Sequence, residues 1–123
     1  MFPPNQFIFY VEKPLESALF YEKIFLKKPV LSTPNYVSFS FEHGIYFSLW
    51  GTQAKNFVSG GTGNRSELAY LVIDDVSVRE LRKKWGELGV TIEEDLFEAV
   101  FGLTFVALDP DGHRIRVSVL DTK

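Results

Sequence analysis

Arg116 raises the clearest chemical question in this sequence. It follows an Asp-Pro-Asp-Gly turn at 109–112 and stands between two β-branched residues, Ile115 and Val117, in a segment that predicts a strand. If that strand turns Arg116 inward, its permanent positive charge lies near the interior and needs a partner. The alternative is that Arg116 faces outward and forms an exposed ion pair, which would contribute little to stability.

The usual catalytic side chains are absent or isolated. The chain has no cysteine, which excludes disulfides, thiolate metal sites and a cysteine nucleophile. His43 and His113 each stand beside a glycine in a predicted turn, without a third ligand at metal-site spacing, so we expect both to be exposed. Ser17, Ser38 and Ser40 have no recognisable base and orienting group around them. The glycine-rich stretch at 60–63 lacks the lysine of a phosphate-binding loop. These residues therefore indicate neither a hydrolase nor a phosphate-binding loop.

Aromatic residues are abundant: 12 phenylalanines, five tyrosines and two tryptophans make up 15% of the chain. Such an excess indicates either a large core or a stacking surface for a planar ligand. Tyr46 and Trp50 share one face of a predicted strand with Ser48 between them, and Phe57 and Phe101 are expected to close over the same opening. The alternative for all these rings is ordinary sheet core beneath the helices. We favour that alternative for four phenylalanines on two strands: Phe7, Phe9, Phe39 and Phe41.

Composition narrows the class of protein. A length of 123 residues suits one domain, and hydrophobic residues at 46% with charged residues at 24% are ordinary for a globular chain. The net charge of -3 gives no basic surface for nucleic acid or anionic membranes. No apolar run approaches the roughly 20 residues of a membrane span, and the N-terminus has no signal-peptide pattern. We therefore expect a cytoplasmic protein with no nucleic acid or membrane partner.

The first half of the chain has the pattern of a strand, a helix and a hairpin. β-forming residues predict a strand at 7–11, and Pro14 stands where the first turn of a helix tolerates proline. Alternating serines predict a half-buried strand at 36–41, and a turn leads to a return strand at 45–50. The polar, glycine-rich stretch at about 52–66 predicts a linker.

The second half repeats this order. A strand is predicted at 68–73, a capping box of Ser77 and Glu80 at the start of a helix, and Gly89 at its end. Three strands are then predicted at 90–92, 101–108 and 115–120.

This repetition predicts an α+β fold built from two βαβββ modules. The first module spans about 5–51 and the second about 67–120, within a single domain that covers 1–123. Repeated modules usually need each other to bury their apolar faces. We therefore expect one curved mixed sheet with a concave, ligand-binding face.

Motifs in both halves resemble the vicinal-oxygen-chelate superfamily, which includes glyoxalase I, bleomycin-resistance proteins and extradiol dioxygenases. They are Val11, Ser17, Phe20-Tyr21, Leu68-Ala69, Val72, Asp74-Asp75-Val76, Phe105 and the turn at 109–112. Longer stretches resemble the phenazine-resistance branch, a drug-binding group: 25–30, 33–37, 100–105 and 112–117. The resemblance implies paired βαβββ modules, usually assembled as a homodimer with two cavities.

Enzymes of that superfamily hold a divalent metal with side chains at four strand positions. By this resemblance, the equivalent positions of this chain are Gln6, Ser48, Glu67 and Arg116. Ser48 is a poor ligand. Arg116 has no acceptor atom, and its charge would repel a dication. We therefore expect no metal and no cofactor. In their place, the resemblance implies a Glu67–Arg116 pair on the concave face.

The predicted function is the non-catalytic binding and sequestration of a planar aromatic small molecule, of the phenazine-antibiotic type, by a homodimer. The candidate ligand-binding residues are Trp50, Tyr46, Phe57, Phe101, Ser48, Glu67, Arg116 and Gln6. One alternative is a metal-dependent glyoxalase-like lyase or dioxygenase of the same superfamily. Another is a structural or regulatory protein whose aromatic face contacts a protein partner.

Overall fold

Two modules with the same order of elements make up the chain. The computed structural model describes residues 5–53, 66–99 and 102–119. The chain folds as two compact units, and the boundary between them falls between residues 53 and 66. Within the described residues each unit contains one α-helix and four strands, so the predicted α+β class and the two βαβββ modules are confirmed. No helix in this part of the chain is long and apolar enough to cross a bilayer.

The first unit begins with a strand and a helix. Its elements are β1 (Gln6–Val11), α1 (Pro14–Phe25), β2 (Leu31–Thr33), β3 (Tyr36–Phe41) and β4 (Ile45–Gly51), with a 3-10 turn at Glu42–Gly44. The strands lie in the order β1-β4-β3-β2, in which β1 runs parallel to β4 and the other pairs are antiparallel. Pro14 begins α1, where a missing backbone N–H costs little, and Leu26 ends it in the left-handed conformation with φ 56°.

Aromatic rings pack α1 onto its sheet. Tyr21 and Phe25 of α1 contact Phe47 of β4, with ring centroids 4.9 and 5.5 Å apart. Phe25 also contacts Phe39 and Phe41 of β3 at 5.2 and 5.0 Å, in the edge-to-face geometry that aromatic pairs prefer. The sheet-core interpretation is therefore right for most of the phenylalanines to which it was applied: Phe9, Phe39 and Phe41.

The second unit repeats the arrangement. Its elements are β5 (Glu67–Val72), α2 (Asp75–Glu87), β6 (Thr91–Ala99), β7 (Gly102–Leu108) and β8 (Arg114–Val119). The order β5-β8-β7-β6 again has one parallel pair, β5 with β8. Trp85 of α2 is buried against Phe105 of β7 and Tyr70 of β5, with ring centroids 5.5 and 5.6 Å away. Ile115 and Val117 of β8 lie fully buried on this helix-covered side of the sheet.

Two strands differ from the expectation. The structure adds β2, a strand of three residues between Pro29 and Pro34, which the prolines concealed in the sequence. It also extends the short strand expected at 90–92 to nine residues, because β6 continues through the acidic run that begins at Glu93. Register shifts interrupt this pairing, so alternation of apolar and polar residues was not visible in the sequence. Phe7, in turn, is half exposed on β1 and does not belong to the core.

The N-terminus of α2 is capped by a residue other than the one expected. Asp74, not Ser77, is the N-cap, and its Oδ1 accepts hydrogen bonds from the backbone N–H and the hydroxyl of Ser77, each at 2.8 Å. The predicted capping box of Ser77 and Glu80 is therefore wrong. The Ser-x-x-Glu spacing was present, but an aspartate three residues earlier satisfied the same helix end. The predicted end of the helix is correct: Leu88 is the C-cap and Gly89 has φ +78°.

The two histidines have different environments. His43 is exposed in its turn, as expected. His113 is buried, with 8% of its surface exposed, and its Nδ1 accepts a hydrogen bond from the backbone N–H of Ser66 at 2.9 Å. The expectation that His113 is exposed was wrong. Asp109 Oδ1 accepts hydrogen bonds from the backbone N–H groups of Asp111 and His113, and these hold the turn inward.

Candidate functional site

In the first unit, the candidate residues lie on the sheet face opposite α1. Directly paired residues of a sheet project to the same side. Since Phe47 and Phe39 face the helix, their sequence neighbours on β4 and β3 face away from it. Tyr46, Ser48 and Trp50 therefore share the face opposite α1, and the predicted grouping of these residues is present. We call this surface the β4 face, comprising Tyr46, Ser48 and Trp50 with their paired residues on β1 and β3.

A hydrogen-bonded group of side chains lies at the centre of the β4 face. Gln6 Nε2 donates to the hydroxyl of Tyr36 at 2.7 Å and to Ser48 Oγ at 3.2 Å. The Tyr36 hydroxyl donates to Ser48 Oγ at 3.1 Å, and Ser48 Oγ lies 3.0 Å from Ser38 Oγ. We call these four residues the hydroxyl cluster. Ser48 and Ser38 are buried, Tyr36 is half-buried and Gln6 is exposed, so the cluster leads from the interior to the surface.

Trp50 stands next to this cluster. Its indole is half-buried and lies between two tyrosines, with the ring of Tyr10 at 6.1 Å and that of Tyr36 at 6.4 Å. Tyr46, further along β4, is 40% exposed. The face thus offers aromatic rings that are only partly covered, beside neutral hydrogen-bonding groups.

Sequence reasoning missed Tyr36, although a signal for it was present. The hairpin turn at Glu42–Gly44 places Phe41 opposite Ile45, and counting back along both strands places Tyr36 opposite Trp50. The register of the hairpin, rather than the alternation within one strand, identifies Tyr36 as a neighbour of the site.

In the second unit, Glu67 and Arg116 lie on the face opposite α2 and contact one another. Arg116 Nε donates to Glu67 Oε2 at 3.0 Å, so the predicted pair is present. The side chains of Arg116 and Glu67 are 30% and 39% exposed, however, and the pair is half-exposed rather than buried within its unit. An ion pair of this exposure contributes little stability.

Arg114 joins the pair and was not predicted. Its guanidinium donates to Glu67 at 2.9 Å, to Glu93 at 2.6 Å and to Glu94 at 2.8 Å. Arg114 and Arg116 are two residues apart on β8 and therefore share a face, which is the signal that the sequence offered. Desolvation, the largest single effect, would raise the pKa of Glu67, but the hydrogen bonds and charges of Arg116 and Arg114 together outweigh it and lower that pKa.

The two units place their candidate residues at equivalent positions. In the register of β1 with β4, Gln6 is paired with Tyr46 and Ile8 with Ser48. In the register of β5 with β8, Glu67 is paired with Arg114 and Ala69 with Arg116 in the same way. Gln6 therefore corresponds to Glu67, and Ser48 corresponds to Arg116.

These four residues do not fit a divalent cation. Arg116 offers only hydrogen-bond donors, and both oxygens of Glu67 already accept from guanidinium groups. In the described parts of the chain, no group of three or more His, Cys, Asp or Glu side chains is arranged to hold a metal ion. Phe57 and Phe101, the remaining candidates, lie outside the described residues.

Comparisons with known proteins find close relatives in sequence and in structure. The chain is 33% identical to the phenazine antibiotic resistance protein EhpR from Enterobacter agglomerans, over 96% of this chain and 92% of that protein. The solution structure of protein ATC0852 from Agrobacterium tumefaciens matches with a TM-score of 0.83 and 35% identity, over 98% of both chains.

A more distant structure shares the fold. A glyoxalase/bleomycin resistance protein/dioxygenase family enzyme from Burkholderia phytofirmans matches with a TM-score of 0.76 at 17% identity, over 94% of this chain and 98% of that one. No protein-family model matches the chain. The identity to EhpR shows that the chain belongs to the family of the phenazine antibiotic resistance protein, and its fold is the one seen in the glyoxalase/bleomycin resistance protein/dioxygenase structure.

Proposed function

We propose that this protein confers antibiotic resistance by binding a planar aromatic molecule of the phenazine type and sequestering it unchanged. The observation that carries this proposal is Trp50, whose half-buried indole lies beside Tyr10 and Tyr36 on the β4 face. The identity to a phenazine antibiotic resistance protein supports the choice of ligand class.

Stacking supplies the main attraction in this proposal. A planar ligand that covers Trp50 removes apolar ring surface from water, and each stacked ring pair adds about 0.5–1.5 kcal/mol beyond the buried area. Tyr46 is the second stacking candidate, and Phe57 and Phe101 remain candidates to be tested by substitution.

Polar groups of each unit are candidates to orient a ligand. On the β4 face of the first unit these are Gln6 and Ser48. The second unit by itself offers Arg116, which uses Nε, and more weakly one terminal nitrogen, for Glu67 and keeps further guanidinium N–H groups for an acceptor. Glu67 holds Arg116 in place and offsets its charge, so a neutral aromatic acceptor suits it.

The donor chemistry favours binding over metal-assisted catalysis. A lyase or dioxygenase of the superfamily that the sequence resembles polarises its substrate with a metal. Here an arginine stands at one of the expected ligand positions, and the glutamate at another is paired to it. Retention of the ligand is then the whole activity, and no bond is made or broken.

Titration of phenazine into the protein tests the proposal, because the chain has two tryptophans and each can be followed alone. In Trp85→Phe the emission comes from Trp50 and should be quenched by saturating phenazine. In Trp50→Phe the emission comes from Trp85, which is buried against α2's own sheet and should change little.

Affinity and chemistry are measured separately. By calorimetry, Trp50→Ala should weaken phenazine binding about tenfold or more, through loss of stacking and buried area. Mass spectrometry should recover the ligand unchanged after prolonged incubation. Unsaturable binding or conversion of phenazine to a product would refute the proposal.

A further inference from the structure

The hydroxyl cluster contains one hydrogen more than its internal contacts use. Four contacts join Gln6, Tyr36, Ser38 and Ser48. The available hydrogens are two on the Gln6 amide and one on each of the three hydroxyls. Each contact consumes one hydrogen, so a single hydrogen remains without an acceptor in the cluster.

The same counting fixes the orientation of the Gln6 amide. If the amide were turned to place Oε1 inward, only the three hydroxyl hydrogens would serve four contacts, and two oxygens would face each other without a hydrogen between them. With Nε2 inward every contact has its hydrogen. The orientation with Nε2 donating to Tyr36 and Ser48 is therefore the favourable one.

The surplus hydrogen can occupy either end of the cluster. When Tyr36 donates to Ser48, the Ser48 oxygen accepts from both Gln6 and Tyr36, so Ser48 donates to Ser38 and the surplus lies on buried Ser38. Rotation of three O–H bonds reverses this direction: Ser38 donates to Ser48, Ser48 donates to Tyr36, and the Tyr36 hydroxyl points out of the cluster. No proton leaves its oxygen in this change.

We propose that Tyr36 is a specificity-determining residue, which donates this surplus hydrogen to an acceptor in the ring of the ligand. The inference rests on the proposed function and names its ligand class more narrowly: aza-aromatic molecules rather than carbocyclic ones of the same shape. Tyr36 suits this role because it is half-buried and its ring stands at 79° to the indole of Trp50, beside the proposed stacking position. Ligand binding then satisfies a buried hydroxyl hydrogen that otherwise has no acceptor in the cluster.

Two isosteric ligands test this inference. Phenazine-2-carboxylate and anthracene-2-carboxylate have the same shape and charge, but only phenazine carries ring nitrogens. The ratio of their dissociation constants, measured by calorimetry, removes the common contributions of stacking and of the carboxylate. Tyr36→Phe should lower the preference for the phenazine about five- to tenfold, the effect of one hydrogen bond.

Gln6→Glu provides a second, independent variant. It keeps the shape of the side chain but replaces the amide NH2 group, with its two hydrogens, by an acceptor oxygen. The hydroxyls of Tyr36 and Ser48 then donate to the carboxylate and the surplus hydrogen is lost. The preference for phenazine should fall as in Tyr36→Phe, which a purely structural role of Gln6 would not produce.

A hydroxyl deletion away from the β4 face serves as the control. Tyr70→Phe removes a tyrosine hydroxyl of the second unit that has no hydrogen-bond partner among the described residues. It should leave the ratio unchanged.

The outcomes separate this inference from the proposed function. If both ligands bind and Trp50→Ala weakens both, but Tyr36→Phe and Gln6→Glu leave the ratio unchanged, the role of Tyr36 is refuted and the proposed function stands. If neither ligand binds saturably, both proposals are overturned.

Discussion

Two guanidinium groups donate hydrogen bonds to the carboxylate of Glu67, so the ionised form of Glu67 contributes to the stability of the fold. Arg116 and Arg114 lower its pKa from the ordinary value of 4.5 despite desolvation, so the carboxylate binds its proton less readily in the folded chain than in the unfolded one. The resulting stability is present above pH 4.5 and is lost as the pH falls through the lowered pKa.

Glu67→Gln should therefore destabilise the protein at pH 7 and have a smaller effect at pH 3. Because the pair is half-exposed, we expect a loss of at most about 1 kcal/mol in the free energy of unfolding at pH 7. Urea unfolding at the two pH values measures this. Glu98→Gln on β6 is the control, and an equal effect of Glu67→Gln at both pH values would contradict the assignment.

The positive charge of Arg116 predicts that the protein does not bind divalent metals. The unmodified protein should show no saturable heat with nickel or zinc in calorimetry, since its guanidinium repels a dication. Arg116→Glu replaces that donor with a carboxylate, and it should gain saturable nickel binding. Arg79→Glu, which makes the same charge change on α2, should not. Tight, stoichiometric metal in the unmodified protein would contradict our interpretation of Arg116.

Sequence reasoning identified some residues of the candidate site and missed others. Trp50, Tyr46 and the Glu67–Arg116 contact followed from alternation along one strand and from family resemblance. Tyr36 did not, because its position depends on pairing between two strands. The half-exposure of Arg116 was also missed, since the polarity of flanking residues does not report how far a long side chain extends toward water.

At the scale of elements, the start of α2 offers a direct test. Asp74 accepts two hydrogen bonds from Ser77, and the hydrogen bond from the Ser77 backbone N–H contributes most to lowering the pKa of Asp74. Asp74→Ala should lower the melting temperature. Asp74→Ser should lower it much less, because serine is also a good N-cap residue.

Glu80→Ala is the matched control for the capping box that the sequence suggested. It should change the melting temperature less than Asp74→Ala does. The reverse order would show that the box operates in solution.

Helices and long strands were the predictable elements, and the reasons are local. Proline at the start of α1 and glycine after α2 mark helix ends through fixed backbone preferences. β2 and most of β6 were missed because their residues lack apolar alternation, and neighbouring strands, rather than their own side chains, hold them in the sheet.

At the scale of the whole molecule, we predict a homodimer. In the superfamily that the sequence resembles, a chain of this length often supplies only part of each cavity. Light scattering coupled to size exclusion should therefore find a particle of two 14.1 kDa chains at micromolar concentration. A monomer that still binds phenazine saturably would contradict this prediction.

Module repetition was visible in the sequence because each half carries its own strand, helix and hairpin signals. The pairing register within each half was not, since it depends on backbone hydrogen bonds between residues far apart in the chain.

The equal register of the two units bears on ancestry and on engineering. The parallel strand pairs β1–β4 and β5–β8 have the same register, with Gln6 and Ser48 in one where Glu67 and Arg116 stand in the other, which is what tandem duplication of one ancestral gene followed by divergence would leave. In this chain one half carries neutral side chains at these positions and the other carries charged ones. A synthetic gene that encodes either half twice would thus compare the two chemistries on an unchanged backbone.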